Sequence, residues 1–348
     1  MRNAEIKDET LKAFNCSNCG AGLKYKPGEE NLTCEYCKTV NSIPQQEIII
    51  EETNFEEYLE KLEAENLVNE KTMHCKSCGA VSTVNVNSRS SSCPYCSNPF
   101  TDGDAKMDLV IKPSYLLPFK VDKEKAIQIG LNWIKDVWYT KNTQSSSLTI
   151  EAVYTPYWTF DMNTHTDSIL KNAFNRSFSS VTTLFYDDVL VSASANISQY
   201  LLNQIKPWDI QKLTDTNNEY LNDYTVEKYS IDLKKGFHEA KKMVDQAVKT
   251  KISSDAINKM FHADIIQTQY LNIKFKLIIF PVYIISYDYK GKKNQLYING
   301  YDGKLASERP RNPIVAVFLK TILVSTIIFA ALILLLMIAS LFALFQTP

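Results

Sequence analysis

All eight cysteines of this 348-residue chain lie in its first 96 residues, as four C-x-x-C pairs: Cys16/Cys19, Cys34/Cys37, Cys75/Cys78 and Cys93/Cys96. A disulfide scaffold spreads its cysteines over whatever it staples, whereas clustered knuckles read as metal ligands. Each quartet has fourteen residues between its two knuckles, and each cysteine of the second lies 59 positions after its counterpart in the first (75 − 16). That is an internal duplication. A C-x-x-C turn presents two thiolates together, and a linker of this length lets a hairpin bring the second pair opposite the first, completing the tetrahedron that Zn²⁺ prefers. Gly20 and Gly79, just after the first knuckle of each quartet, suit a turn needing positive φ. Four thiolates leave no open coordination position, so the expectation is two structural zinc ions and no catalytic or cofactor-binding residue. His74, next to Cys75, is expected to be solvated or to lie behind the ligands.

Charge bears on what such ribbons touch. The whole chain carries a formal net charge of −1, and residues 1–106 hold 11 Lys and Arg against 17 Asp and Glu, a net of −6. Nucleic-acid binding needs cations to displace condensed counterions, so contact with proteins is the better expectation. The alternative, a membrane-tethered nucleic-acid-binding or regulatory protein, would need a basic surface. The polar N-terminus lacks the apolar core of a signal peptide.

The composition shifts along the chain set expected boundaries: ribbon 1 over 1–47, an acidic helical linker over 48–72, ribbon 2 over 73–106, an α+β region over 107–312 and an anchor over 313–348. In the linker, Thr53-Asn54-Phe55-Glu56 has a capping-box pattern, and Phe55, Leu59 and Leu62 recur at helical spacing. The expectation is a helix of about four turns within Ile48–Lys71. At the other end, Thr321–Phe345 runs 25 residues without a charge, long enough to cross a bilayer. Upstream stand Lys290, Lys292, Lys293, Lys304, Arg309, Arg311 and Lys320, with no charge downstream, so the positive-inside rule puts the N-terminal part in the cytoplasm. The expectation is a single-pass, tail-anchored protein of the cell membrane.

In the middle region, helical spacing covers Val121–Trp138 (Ala126, Ile129, Trp133, Ile134, Val137) and about Lys234–Ile252. Leu148–Phe160 reads as a strand interrupted at Pro156, Val181–Ala195 as a strand or pair with Asp187-Asp188 at a turn, and Ile273–Tyr289 as a strand broken at Pro281. Gln295–Leu305 has hairpin signals in Asn299-Gly300 and Asp302-Gly303. Tyr154-Thr155-Pro156-Tyr157-Trp158-Thr159-Phe160 aligns with Ile279-Phe280-Pro281-Val282-Tyr283-Ile284-Ile285, which suggests a duplicated α+β unit. The fold class is therefore α+β. No P-loop, dinucleotide fingerprint or nucleophile elbow occurs, and His74, His165, His238 and His262 have no motif around them, so the chain reads as non-enzymatic with no small-molecule substrate.

These motifs together carry a resemblance: the C-x-x-C-G knuckles at Cys16 and Cys75, Thr155-Pro156-Tyr157-Trp158-Thr159-Phe160, Asp187-Asp188-Val189-Leu190-Val191-Ser192-Ala193-Ser194, Phe280-Pro281-Val282-Tyr283, and Tyr297-Ile298-Asn299-Gly300-Tyr301-Asp302-Gly303-Lys304. Over nearly its full length the chain resembles bacterial TFIIB-type zinc-ribbon membrane proteins, often labelled primosomal or helicase-like. The helicase label finds no Walker motif here. Some members look like membrane partners of phage-shock protein A in Gram-positive bacteria, acting with a membrane neighbour and a flotillin-like protein. The resemblance implies a scaffold in envelope stress, and only the eight cysteines carry over as functional residues.

Overall fold

The computed structural model describes residues 15–29, 31–43, 50–61, 67–83, 92–136, 148–216, 218–221, 224–258, 261–289 and 292–308, with isolated positions from 321 to 333. The elements are β1 (Asn31–Thr33), β2 (Val40–Ser42), β3 (Thr53–Asn54), α1 (Phe55–Lys61), β4 (Leu67–His74), β5 (Val81–Thr83), β6 (Ala105–Ile111) and β7 (Tyr115–Leu116). They continue with α2 (Lys123–Asp136), β8 (Thr149–Asn172), β9 (Ser177–Ser192), α3 (Gln199–Gln204), β10 (Thr214–Asp215), α4 (Asn218–Leu221) and β11 (Thr225–Glu227). Last come α5 (Leu233–Asn258), β12 (Phe261–Tyr289), β13 (Lys292–Asn299) and β14 (Leu305–Ser307). The class is a sheet-rich α+β fold.

Two very long strands, β8 and β12, pair antiparallel and form its spine. Thr155 pairs with Phe280, Pro156 with Ile279 and Tyr154 with Pro281. An offset of 125 (280 − 155) therefore relates residues that are also cross-strand partners, and a pseudo-two-fold axis passes between Thr155 and Phe280. The elements that flank its centre obey it. β11 adds parallel to β8 at Val153–Tyr154, and β7 adds parallel to β12 at Ile278–Ile279. Each short strand comes from the opposite repeat, so the repeats interlock. Asp122 caps α2 by accepting from the Lys125 N–H at 2.6 Å, and Asp232 caps α5 by accepting from the Lys235 N–H at 2.9 Å. Trp158 Nε1 donates to the Ile231 carbonyl at 2.8 Å, and its counterpart Tyr283 donates its hydroxyl to the Val121 carbonyl at 2.9 Å.

The axis also explains the two prolines. On its second edge β8 passes from β11 to β9 at Pro156, and β12 passes from β7 to β13 at Pro281. A proline without an N–H fits where one neighbour ends and the next begins, so neither strand is interrupted. Tyr154, Tyr157, Trp158 and Phe160 are all fully buried core. Glycines make the helix–sheet contacts close: a Cβ at Gly236 of α5 would lie 2.6 Å from Trp158 Cδ1. Gly236→Ala should gain about 1 kcal/mol of helix propensity yet lose more to overpacking, for a net destabilisation of about 1–2 kcal/mol in urea unfolding.

Several expectations are corrected. Of the expected linker helix, the described residues show the seven-residue α1, with β4 starting already at Leu67; Asn54 caps α1 by accepting from the Glu57 N–H at 3.0 Å, while Thr53 is in β3. Lys71, the last residue of the expected linker segment, is in β4, where it pairs with Met107 of β6. β4 crosses the boundary set at 72–73 and β6 that at 106–107. Asp187-Asp188 is not a turn: β9 is one strand, and Asp188 (φ 49°) sits where its register against β8 shifts. β8 and β12 reach 12 and 12 residues further towards their shared tip than the strands expected at Leu148–Phe160 and Ile273–Tyr289, ending at Asn172 and starting at Phe261. Leu62 and Val137 lie outside the described residues, as does almost all of the expected anchor, 313–348. Among the described residues no helix is long and apolar enough to cross a membrane. Positions 321, 322, 325, 326, 329 and 333 are helical, with Ile322, Phe329 and Ile333 exposed.

Candidate metal centres

Each quartet brings its four sulfurs within 4.8 Å of one another. Cys16 and Cys37 Sγ are 3.4 Å apart and Cys19 and Cys34 Sγ 3.6 Å; Cys75–Cys96 and Cys78–Cys93 repeat those distances. The edge of a tetrahedron with metal–sulfur bonds near 2.3 Å is about 3.8 Å, so each cluster has the dimensions of a four-thiolate metal site. The spacing is far from a disulfide bond, and all eight cysteines are free.

Four equivalent turns build the sites. In each, the residue four after the leading cysteine donates its N–H to that cysteine's carbonyl at 2.8–2.9 Å: Gly20 to Cys16, Lys38 to Cys34, Gly79 to Cys75 and Ser97 to Cys93. All four donors have positive φ (73°, 61°, 78° and 62°), which glycine meets without strain in the first knuckles while Lys38 and Ser97 meet it in the second. Backbone N–H groups of Cys19 and Asn18 hold the Cys16 thiol below its ordinary value. Burial raises the Cys75 thiol, but the N–H groups of Cys78 and Ser77 outweigh it and bring it to about 7. Those low values favour the thiolate at Cys16 and Cys75, while burial raises the Cys78 and Cys93 thiols. The 59-residue offset holds in the pairing too: Asn15↔Gly22 matches His74↔Val81, and Thr33↔Val40 matches Ser92↔Pro99.

The two sites differ in how they meet the rest of the chain. β4 and β5, which flank the first knuckle of the second site, belong to the main sheet through β6 and β11. Cys75, Ala80, Cys93 and Tyr95 join the core that contains Tyr157, Leu201 and Ile278. Tyr95 donates its hydroxyl to the buried Glu227 at 2.5 Å, and its carbonyl accepts from Gln295 Nε2 at 2.7 Å. The first site has a small core of its own, from Cys16, Leu23, Leu32 and Cys34. Tyr25 links it to the body, donating to the Phe119 carbonyl at 2.7 Å and meeting Tyr220 edge-on. Tyr36, the counterpart of Tyr95, is 81 % exposed.

The histidines do not converge on either site. His74 Nε2 lies 2.7 Å from Asp108 Oδ2, which also takes Lys228 Nζ at 3.0 Å. His165 faces Asp167 at 3.9 Å, and His238 and His262 are exposed.

Two buried polar clusters lie outside the motifs read from the sequence. Glu227 accepts from Ser194 Oγ at 2.5 Å, Tyr95 and Asn196 Nδ2 at 2.6 Å, and burial raises its carboxyl to about 7. Above its unfolded value the folded chain must either hold that proton or bury a charge, so stability falls as pH rises through the interval between them. Between pH 6 and pH 8 the wild type should lose about 1 kcal/mol relative to Glu227→Gln, read from urea unfolding at each pH. The second cluster gathers Glu52, Asp161 and Asp188 around Lys276, a lysine only 3 % exposed that sits 2.8 Å from Glu52 and 2.6 Å from Asp188. The ammonium already holds the place of a cation there. Its signal in the sequence was a lysine set within the apolar run Phe275–Ile285.

No family model and no solved structure matches the chain. The uncharacterized protein YdjG of Bacillus subtilis (strain 168) is similar to it, 24% identical over 226 residues, which is 58% of this chain and 64% of that protein. The match thus spans less than two thirds of the relative.

Proposed function

We propose that the chain is a non-enzymatic scaffold: two structural zinc ions, held by Cys16, Cys19, Cys34 and Cys37 and by Cys75, Cys78, Cys93 and Cys96, shape a cytoplasmic platform that binds proteins. The observation that carries this reading is the unequal use of the two ribbons. One is fused into the main core, and the other has a small core of its own and presents Tyr36 (81 % exposed) and Val40 (62 % exposed) at the surface. Exposed aromatic and β-branched side chains on a metal-braced turn make an anchor with little conformational entropy to lose on binding.

In this reading the uncharged segment Thr321–Phe345 anchors the platform in the cell membrane. Its 25 residues without a charge, long enough to cross a bilayer, support that. The partners are membrane proteins and, following the resemblance, flotillin-like or phage-shock-protein-A-like proteins in envelope stress. Affinity purification from detergent-solubilised membranes tests it, with metal content and companions read from one sample. Two zinc ions and a stoichiometric protein partner, lost in Tyr36→Ala while zinc is kept, are expected. A protein that comes out alone, or with nucleic acid, would overturn the scaffold.

A further inference from the structure

Beyond the neck where Lys276 is buried, β8, β9 and β12 continue as a three-stranded arm of about twelve residues per strand, roughly 40 Å long. The 26-residue helix α5 matches that length at about 39 Å. It packs Val244, Val248 and Ile252 against the face that bears Leu170, Leu184 and Ile266. The opposite face has no layer over it among the described residues: Val181, Phe185 and Leu271 are 60 %, 61 % and 48 % exposed. At the arm's tip Asn172–Ser177 turns with Phe174 outermost.

Sheet edges left open in natural proteins are kept short, charged, bulged or proline-bearing, because a regular edge is a template for another strand. The arm's β12 edge follows that rule, with register shifts at Ala263/Ile265 and Leu271/Lys274. The β9 edge does not. Ser177–Tyr186, ten residues reading SFSSVTTLFY, has no charge, proline or glycine, and its register is unbroken. Among the described residues β9 pairs only with β8, so its outer side is open along that whole length.

We infer that β9 is the self-association edge of this protein, pairing antiparallel with β9 of a second copy to make one continuous six-stranded sheet. A two-fold axis normal to the sheet at Thr182 sets Thr182 against itself, Val181 against Thr183 and Ser179 against Phe185. No charge meets a like charge along this seam. The strand ends are complementary: Arg176 of one copy comes beside the Asp187 end of the other. Both α5 helices fall on one side, and the exposed Val181 and Phe185 of both copies fall together on the other, forming one apolar strip.

The test takes the full-length protein in detergent and reads polypeptide mass by light scattering and metal content in the same sample. Two chains per particle are expected, falling to one in Val181→Lys/Thr183→Lys with metal content unchanged. A single chain in the wild type at ~10 µM, or a mass unmoved by the lysines, overturns the proposal. If the lysine variant does not fold, residue-resolved hydrogen exchange of the wild type decides. Uniform protection of Ser177–Tyr186 supports the paired edge. Alternation of slow and fast amides, the mark of a strand bonded on one side alone, sinks it.

Discussion

Cys75→Ser and Cys93→Ser should unfold the main sheet, whereas Cys16→Ser and Cys34→Ser should leave it standing with one metal ion per chain. The asymmetry comes from where the two sites sit, since their sulfur geometries are the same. Binding of structural zinc in small sites contributes about 10–16 kcal/mol, comparable with or above the whole stability of a domain. An ion bound at the second site would hold β4, β5 and the Tyr95 turn, and through them the pairing with β6 and β11 and a wall of the core. At the first it would hold a small core that Tyr25 ties to the body. Far-UV circular dichroism, limited proteolysis and metal analysis on the four variants would read this. A Cys75→Ser protein that keeps a cooperative sheet transition would show that the second site is dispensable for the core. A chelator titration should follow the same order, with ribbon 1 lost separately and the loss of the second metal coinciding with global unfolding.

Lys276→Met should destabilise the protein by about 3–5 kcal/mol, the effect of removing one partner from a buried ionic cluster. The ammonium is 2.8 Å from Glu52 and 2.6 Å from Asp188, and without it those carboxylates and Asp161 face one another inside the neck. Burial, and then the nearby Glu52, push the Asp161 carboxyl up to about 7. Asp161→Asn should therefore be near neutral at pH 7: its amide oxygen can still accept the Asp188 N–H, which Asp161 Oδ1 takes at 2.8 Å. The contrast between a severe Lys276→Met and a mild Asp161→Asn, measured by urea unfolding, separates a required cation from a tolerated carboxylate. Equal losses in the two would refute that division. The cluster also joins β3, through Glu52, to the base of the arm, so Lys276→Met should speed hydrogen exchange in β9 before the spine.

Local chemistry made much of this legible. Four knuckles at a 59-residue offset dictate two four-thiolate clusters, because a thiolate turn is a local structure and its ligand count is written in the spacing. The helical stripes announced the starts of α2 and α5 to within two residues, though α5 runs six residues past the expected Ile252, and the repeated Pro-aromatic strand announced the duplication. Periodicity could not say that the two repeats exchange their short strands, since pairing across more than a hundred residues leaves no trace in either segment. Nor could it separate Tyr36 from Tyr95, which occupy the same position in the same motif. One is on the surface and the other buried against Glu227 only because β5 pairs with β11. Lys276, Glu52, Asp161 and Asp188 met through bulges and strand register, and burial decided which charges had to pair. The sequence by itself determined the two cysteine clusters, the helix faces and the repeat, all set by contacts within a few residues. The tertiary structure alone decided which ribbon belongs to the core, which charges are buried and which sheet edge stays open, because those depend on desolvation and long-range pairing.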